Sequence, residues 1–196
     1  MKRLVTFGCS HTFGEGLLNP NDESWPKKLA ELLNVELKNY GVGGASNRKI
    51  QHTILNSKLT KDDLVIILWT YADRYHFFED KKNESPLINV WSKNIHSKYW
   101  YQYFHTEYNE KFDNQTIINQ VNLYLKDKNI VTYNLLVSNE YKYYYDITDL
   151  KSLDLDFTKD YLNKYERSSD GWHMGSLGHE SFGNDIYKRI SEKTLL

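Results

Sequence analysis

The stretch Asp63-Leu-Val-Ile-Ile-Leu-Trp69 constrains the fold more than any other part of this chain. Its apolar residues run unbroken from Leu64, and Val65, Ile66 and Ile67 are β-branched, which favours an extended strand. A strand with one wet face alternates polar and apolar residues, whereas this one has no polar face to offer water. It therefore suits a central parallel strand covered on both sides. Parallel neighbours need crossover connections, usually helical, and the flanking sequence supplies them. Arg3–Phe7 reads as a first strand, stopping at Gly8, and Cys9–Gly16 reads as a small, polar loop. Asn21 or Asp22 can cap a helix with Pro26 in its first turn and Trp25, Leu29, Leu32 and Leu33 on one face. Val35–Asn39 is a second strand closed by Gly41-Val-Gly-Gly-Ala45. Ser46 or Asn47 then caps a helix carrying Ile50, Ile54 and Leu55. Further on, a helix is expected around Gln115–Lys126, a strand at Ile130–Val137 and a weaker strand at Tyr141–Ile147. Asp149–Ser169 is a polar connection with some helical pattern, and Leu177–Leu195 is the last helix. This alternation argues a three-layer α/β/α arrangement around a mostly parallel five-stranded sheet. In such sheets ligands bind outside the carboxyl ends of the strands, where the glycine-rich loops fall.

Residues 75–113 break the alternation. Ten of the chain's aromatic side chains fall between Tyr75 and Tyr108 with no clean period, so the segment reads as an insertion within a single domain spanning 1–196. It is placed to fold over the strand ends, where Trp91 and Trp100 are candidate platforms for a sugar. The whole chain has 16 Tyr, 8 Phe and 5 Trp, an excess that an AT-rich genome would also produce. The 25 Lys and Arg balance 26 Asp and Glu to a net charge of −1, leaving no basic excess for a phosphate backbone, so nucleic-acid binding is not expected. No apolar run approaches the roughly 20 residues of a membrane span. The start, MKRLVTFG, lacks a secretory apolar core, so a cytoplasmic protein is expected, with a virion component as the alternative. One cysteine excludes an internal disulfide.

Chemistry-bearing residues stand at the ends of these elements. Ser10 follows the first strand, Gly43 and Gly44 follow the second, and Asp170-Gly-Trp-His173 precedes the last helix. A serine hydroxyl becomes a nucleophile when an imidazole takes its proton, and the imidazole needs a carboxylate to fix its tautomer. Asp170 and His173, three apart, can meet within one turn of chain. Backbone N–H groups in the glycine-flanked loops can serve as oxyanion donors.

Gly8-Cys-Ser-His-Thr, Asn39-Tyr-Gly-Val-Gly-Gly44 and Asp170-Gly-Trp-His-Met-Gly-Ser-Leu-Gly-His179 resemble the first, second and fifth blocks of the SGNH (GDSL-type) hydrolases, in the family's order. The resemblance covers most of the chain apart from the aromatic insertion. It implies a flavodoxin-like α/β/α fold and a serine esterase that needs no cofactor. Ser10 would be the nucleophile, His173 the general base and Asp170 its orienting partner. The N–H groups of Ser10 and Gly44 would form two-thirds of the oxyanion hole. The family's third donor is an Asn in a Gly-x-Asn-Asp block, but here the sequence reads Leu68-Trp-Thr-Tyr-Ala-Asp-Arg74, with no Asn. Either Thr70 from that place or Asn47 from the second loop would have to replace it. The expected substrate is an ester of a small molecule or glycan, such as an O-acetyl group on a carbohydrate. The alternative is a module that keeps the fold and binds glycans without the chemistry, for instance in a phage particle.

Plainer roles compete at several positions. Arg74 is a candidate anchor for an anionic substrate group, with a structural ion pair equally open. His11 adjoins Ser10, so its side chain should diverge from the hydroxyl and pack or line the pocket; His179 reads as structural, and Cys9 as a buried thiol. A zinc site built on His11, Asp170, His173 and His179 has no supporting ligand spacing, so no metal is expected. The Gly8–Gly16 loop lacks the Gly-Lys-Ser/Thr of a phosphate cradle.

Overall fold

The computed structural model of the chain describes residues 2–78, 87–89, 92–143 and 151–194. Strand β1 (Arg3–Gly8) leads into a single-turn helix α1 (Ser10–Phe13), then the short α2 (Pro20–Glu23) and α3 (Trp25–Leu33). Strand β2 (Glu36–Gly41), helix α4 (Asn47–Leu55) and strand β3 (Asp63–Trp69) follow. The aromatic segment holds a two-stranded hairpin, β4 (Tyr75–His76) with β5 (Leu87–Ile88), and helix α5 (Ile95–Tyr103). Helix α6 (Glu107–Asp127), β6 (Val131–Leu136), β7 (Ser152–Asp156), a π-helical turn at Phe157–Leu162 and α7 (Ser176–Thr194) complete the chain.

The main sheet has the order β2-β1-β3-β6-β7, all parallel. This is the flavodoxin-like doubly wound order expected from the sequence. Strand β3 lies at its centre and is buried along its whole length. Its side chains alternate between two cores. Leu64, Ile66 and Leu68 join Trp25 and Leu29 of α3 and Phe182, Ile186 and Ile190 of α7. Val65, Ile67 and Trp69 face the other way, against Ile50 and Ile54 of α4 and Ile118, Val121 and Leu125 of α6. Each such side chain taken out of water contributes about 1.5–3 kcal/mol, so one apolar run anchors both helical layers. Among the described residues no helix is long and apolar enough to cross a membrane.

Two elements differ from expectation. The fifth strand is Ser152–Asp156, not Tyr141–Ile147: Asn139–Tyr143 forms a 3-10 turn, and residues 144–150 lie outside the described residues. A tyrosine-rich run has strand propensity, but burial decides the matter. Leu153 and Leu155 go inside while Asp154 between them stays exposed. Helix α6 also starts well before Gln115, because Thr106 caps it, accepting from the Asn109 N–H at 3.1 Å. The last part of the aromatic segment is therefore the first turns of a core helix.

Candidate active site

Gly8 and Gly41 end neighbouring strands, β1 and β2, and are paired in register. Above them α1 lies almost on the sheet. A Cβ on Gly41 would come within 2.3 Å of the Phe13 nitrogen, and one on Gly8 within 2.0 Å of Thr12 Oγ1. Asn39 ties the layers together: its Oδ1 accepts from Thr6 Oγ1 at 3.0 Å and from the Gly41 N–H at 2.9 Å. Its Nδ2 donates to the Thr12 carbonyl at 2.9 Å. Ser10 is thus held at the first position of a helix whose place is set by two glycines and one asparagine.

The Asp170–His173 loop reaches the same place from the other end of the chain. Gly16, at φ 86°, has no Cβ to spare: one there would lie 2.2 Å from Ser168 Oγ and 2.8 Å from Asp170 Oδ2. Ser169 Oγ donates to the Gly16 carbonyl at 3.0 Å. Asp170 Oδ1 accepts from Ser168 Oγ, the Trp172 N–H and the His173 N–H, at 2.8, 2.8 and 3.0 Å. Its Oδ2 lies 2.6 Å from His173 Nδ1. Burial alone would raise this carboxyl, but the His173 backbone and ring, the Trp172 N–H and the Ser168 hydroxyl together hold it well below the usual carboxylate range. An ionised Asp170 keeps the proton of a neutral His173 on Nδ1, leaving Nε2 as the basic nitrogen.

The structure joins Asp170 to His173 and sets their loop against the one that follows Ser10. It does not close the last link: Ser10 Oγ makes no hydrogen bond to His173 or to any other described residue. Ser10 is 3% exposed. Neither the Ser10 N–H nor the Gly44 N–H has an acceptor among the described residues, and Gly44 sits at φ 68° in the turn after β2.

Asn47 has both amide hydrogens engaged and so does not present a third donor. It and Thr70 are buried, and they bind each other: the Thr70 N–H donates to Asn47 Oδ1 at 2.9 Å. Asn47 Nδ2 donates to Asn114 Oδ1 at 2.7 Å and to the Thr70 carbonyl at 3.4 Å, and Thr70 Oγ1 accepts from Arg74. These polar groups bridge α4, the end of β3 and α6, a partnership visible only once α6 is packed.

His11 is buried and lines the wall beside His173. Its ring packs on Phe157 at 4.6 Å and edge-on to His173 at 5.2 Å, and its Nε2 lies 3.4 Å from the Tyr71 hydroxyl. Burial, then the nearby His173 and Arg74 charges, push its pKa well down. His179 lies deeper, accepting the Trp25 N–H on Nδ1 at 3.1 Å, and burial lowers it to about 3. Cys9 is buried in the core. Among the described residues no group of three or more His, Cys, Asp or Glu side chains is arranged to hold a metal ion.

Of the two expected sugar platforms, Trp91 lies outside the described residues. Trp100 is stacked on Tyr75 at 4.2 Å and packed against Phe77 and Phe104, forming a wall rather than an open face. Trp172, between Asp170 and His173, is 80% exposed. In the tight Asp170 turn the Trp172 N–H donates to the carboxylate while the indole stays outside.

Solved structures that share this fold include G-D-S-L family proteins and esterases. The fold matches a member of the lipolytic protein G-D-S-L family from Veillonella parvula DSM 2008, at TM-score 0.55 and 12% identity over 98% of this chain and 97% of that one. It matches a psychrotrophic esterase from Pseudoalteromonas sp. at TM-score 0.59 and 14% identity over 100% of both chains. An acetylxylan esterase from Geobacillus stearothermophilus gives TM-score 0.60 at 12% identity, covering 96% of this chain and 94% of that one. The chain therefore has the SGNH (GDSL-type) hydrolase fold. No protein-family model matches it, and no curated protein is similar to it in sequence.

Proposed function

We propose that the protein is a serine ester hydrolase. The observation that carries this reading is the Asp170–His173 pair, hydrogen-bonded at 2.6 Å and packed by its loop against the residues following Ser10. The imidazole presents Nε2 as base. Its hydrogen bond to Ser10 Oγ is expected to form when substrate binds, as catalytic hydrogen bonds often tighten only in the complex. Ser10 attacks the ester carbonyl as His173 takes its proton, and Asp170 stabilises the resulting imidazolium. The carbonyl oxygen, now an anion, is received by the Ser10 and Gly44 N–H groups. His173 returns the proton to the departing alcohol, and water releases the acyl group from Ser10 by the same route. Loss of any one donor of such an oxyanion hole is expected to lower turnover about 10²–10³-fold.

The finer reading is that the ester is a small acyl group on a carbohydrate. The exposed Trp172 face beside His173 supports it, since indoles stack on sugars; one structural neighbour is itself an acetylxylan esterase. The open Ser10–His173 link and the absence of the family's Asn donor favour a second reading, a glycan-binding module without turnover, as in a virion component.

Hydrolysis of p-nitrophenyl acetate and labelling by a fluorophosphonate decide between the two. The esterase reading expects turnover and a covalent adduct on Ser10, both abolished in Ser10→Ala. Turnover unchanged in Ser10→Ala would overturn the mechanism. No turnover and no adduct, with glycan binding lost in Trp172→Ala, would establish the second reading.

A further inference from the structure

Arg74 had two open roles in the sequence, and the structure removes one of them. Among the described residues it has no ion pair. Its guanidinium lies 4.6 Å over the Tyr71 ring and donates from Nη1 to Thr70 Oγ1 at 3.2 Å. Arg48 is built alike: it lies 4.9 Å over the Tyr75 ring and donates to the Tyr75 hydroxyl, and its charge also acts on the Asp113 carboxyl. By contrast, Arg3 grips Asp63 through Nε and Nη2 at 2.8 and 2.7 Å, at the opposite end of the sheet. A guanidinium carries five donors in a planar fork. Both arginines are half-buried, stacked on tyrosines and left with most of that fork unused.

The two line one cleft together with Tyr75 and Trp100. Asp73, Glu110 and Asp113 also border it; Glu110 is engaged by His105 at 2.5 Å. Tyr71 connects the cleft to the reacting groups. Arg74 covers one side of its ring, its hydroxyl lies 3.4 Å from His11 Nε2, and His11 packs on His173. Stacking holds a guanidinium in one plane without neutralising it, and a planar fork suits oxyanions in a way a lysine does not.

We propose that Arg74, with Arg48 across the cleft, binds an anionic group carried by the ester substrate, a carboxylate, phosphate or sulfate. This rests on the esterase reading for its place beside a reacting ester. Matched pairs test it: 3-acetoxybenzoate against 3-acetoxybenzamide, with 3-acetoxyphenyl phosphate and sulfate as the other anionic arms. The wild type is expected to prefer at least one anionic ester, which identifies the oxyanion. Arg74→Met is expected to lower the anionic-to-neutral ratio of kcat/KM about 10–100-fold, the scale of a charge-assisted hydrogen bond. Arg74→Lys, which keeps the charge without the fork, should fall between. Arg48→Met carries the comparison if Arg74→Met does not fold. A ratio that does not differ between wild type and these variants overturns the proposal and leaves the esterase reading intact. If no ester is turned over, calorimetry with 3-hydroxybenzoate and 3-hydroxybenzamide takes its place. Tighter binding of the benzoate, lost in Arg74→Met, then upholds the anion site while the esterase reading falls; equal binding overturns the anion site.

Discussion

Two buried histidines should make this protein acid-sensitive above the range in which carboxylates ordinarily titrate. His179 is fully buried and lowered to about 3 by burial, then by the His173 charge. His76 is 7% exposed, its Nδ1 lies 2.9 Å from Ser46 Oγ, and burial, then Lys49 and Arg74, lower it to about 4. An unfolded histidine titrates near 6.5. Below that pH the unfolded chain binds protons that these rings refuse in the folded protein, so stability rises with pH and falls as acid is added. The loss begins as pH drops through about 6.5 and continues until the folded values are reached. At about pH 5 each ring costs roughly 2 kcal/mol, or about 4 kcal/mol for the two, relative to about pH 7.5. His11, also pushed down, acts in the same direction. Glu110 and Asp113 are raised by burial and act the other way. Against a typical stability of about 5–15 kcal/mol the net loss is large. Urea unfolding across this range measures it, with His179→Asn as the control, since the Asn oxygen can still accept the Trp25 N–H. The variant shares every other titrating group and should lose about 2 kcal/mol of the pH dependence. A pH dependence identical in wild type and variant would refute the assignment of His179 as a buried neutral ring.

Three other outcomes follow from the site. Gly41→Ala forces a Cβ against the Phe13 backbone, so α1 must shift; thermal melts should show a loss of about 1–3 kcal/mol, the usual cost of overpacking, together with reduced fluorophosphonate labelling of Ser10. Asp170→Asn removes the charge that stabilises the imidazolium, and kcat should fall about 10⁴-fold with the fold intact by circular dichroism. Trp172→Ala should raise KM for an acetylated oligosaccharide while changing kcat for p-nitrophenyl acetate little; equal effects on both would remove the platform role.

Much of the fold is local and so was legible. The Leu64–Trp69 run, the helical spacing of Trp25 and Leu29, and the glycines after β1 and β2 each declare their element within a few residues. The sequence points to Tyr141–Ile147 for the fifth strand because its tyrosines carry stronger local strand propensity than Ser152–Asp156, and only pairing with β6 selects the latter. At the site, Asp170 and His173 were readable because a three-residue spacing brings them together through one turn. The failure of Asn47 as a donor was not readable: it depends on Asn114, which lies on a helix 67 positions away.

By itself, then, the sequence determined the layered parallel architecture, the carboxyl ends of the strands as the place where chemistry is expected, and the Asp170–His173 pair. Periodicity and short spacings encode all of these directly. Tertiary structure decided which polar groups are already engaged and which are left facing a ligand. It bound Asn47 and Thr70 to each other, stacked Trp100 into a wall, exposed Trp172 and, among the described residues, left Arg74 without an ion pair. A side chain's partners come from whatever elements pack beside it, and those lie too far apart in the chain for any local pattern to record.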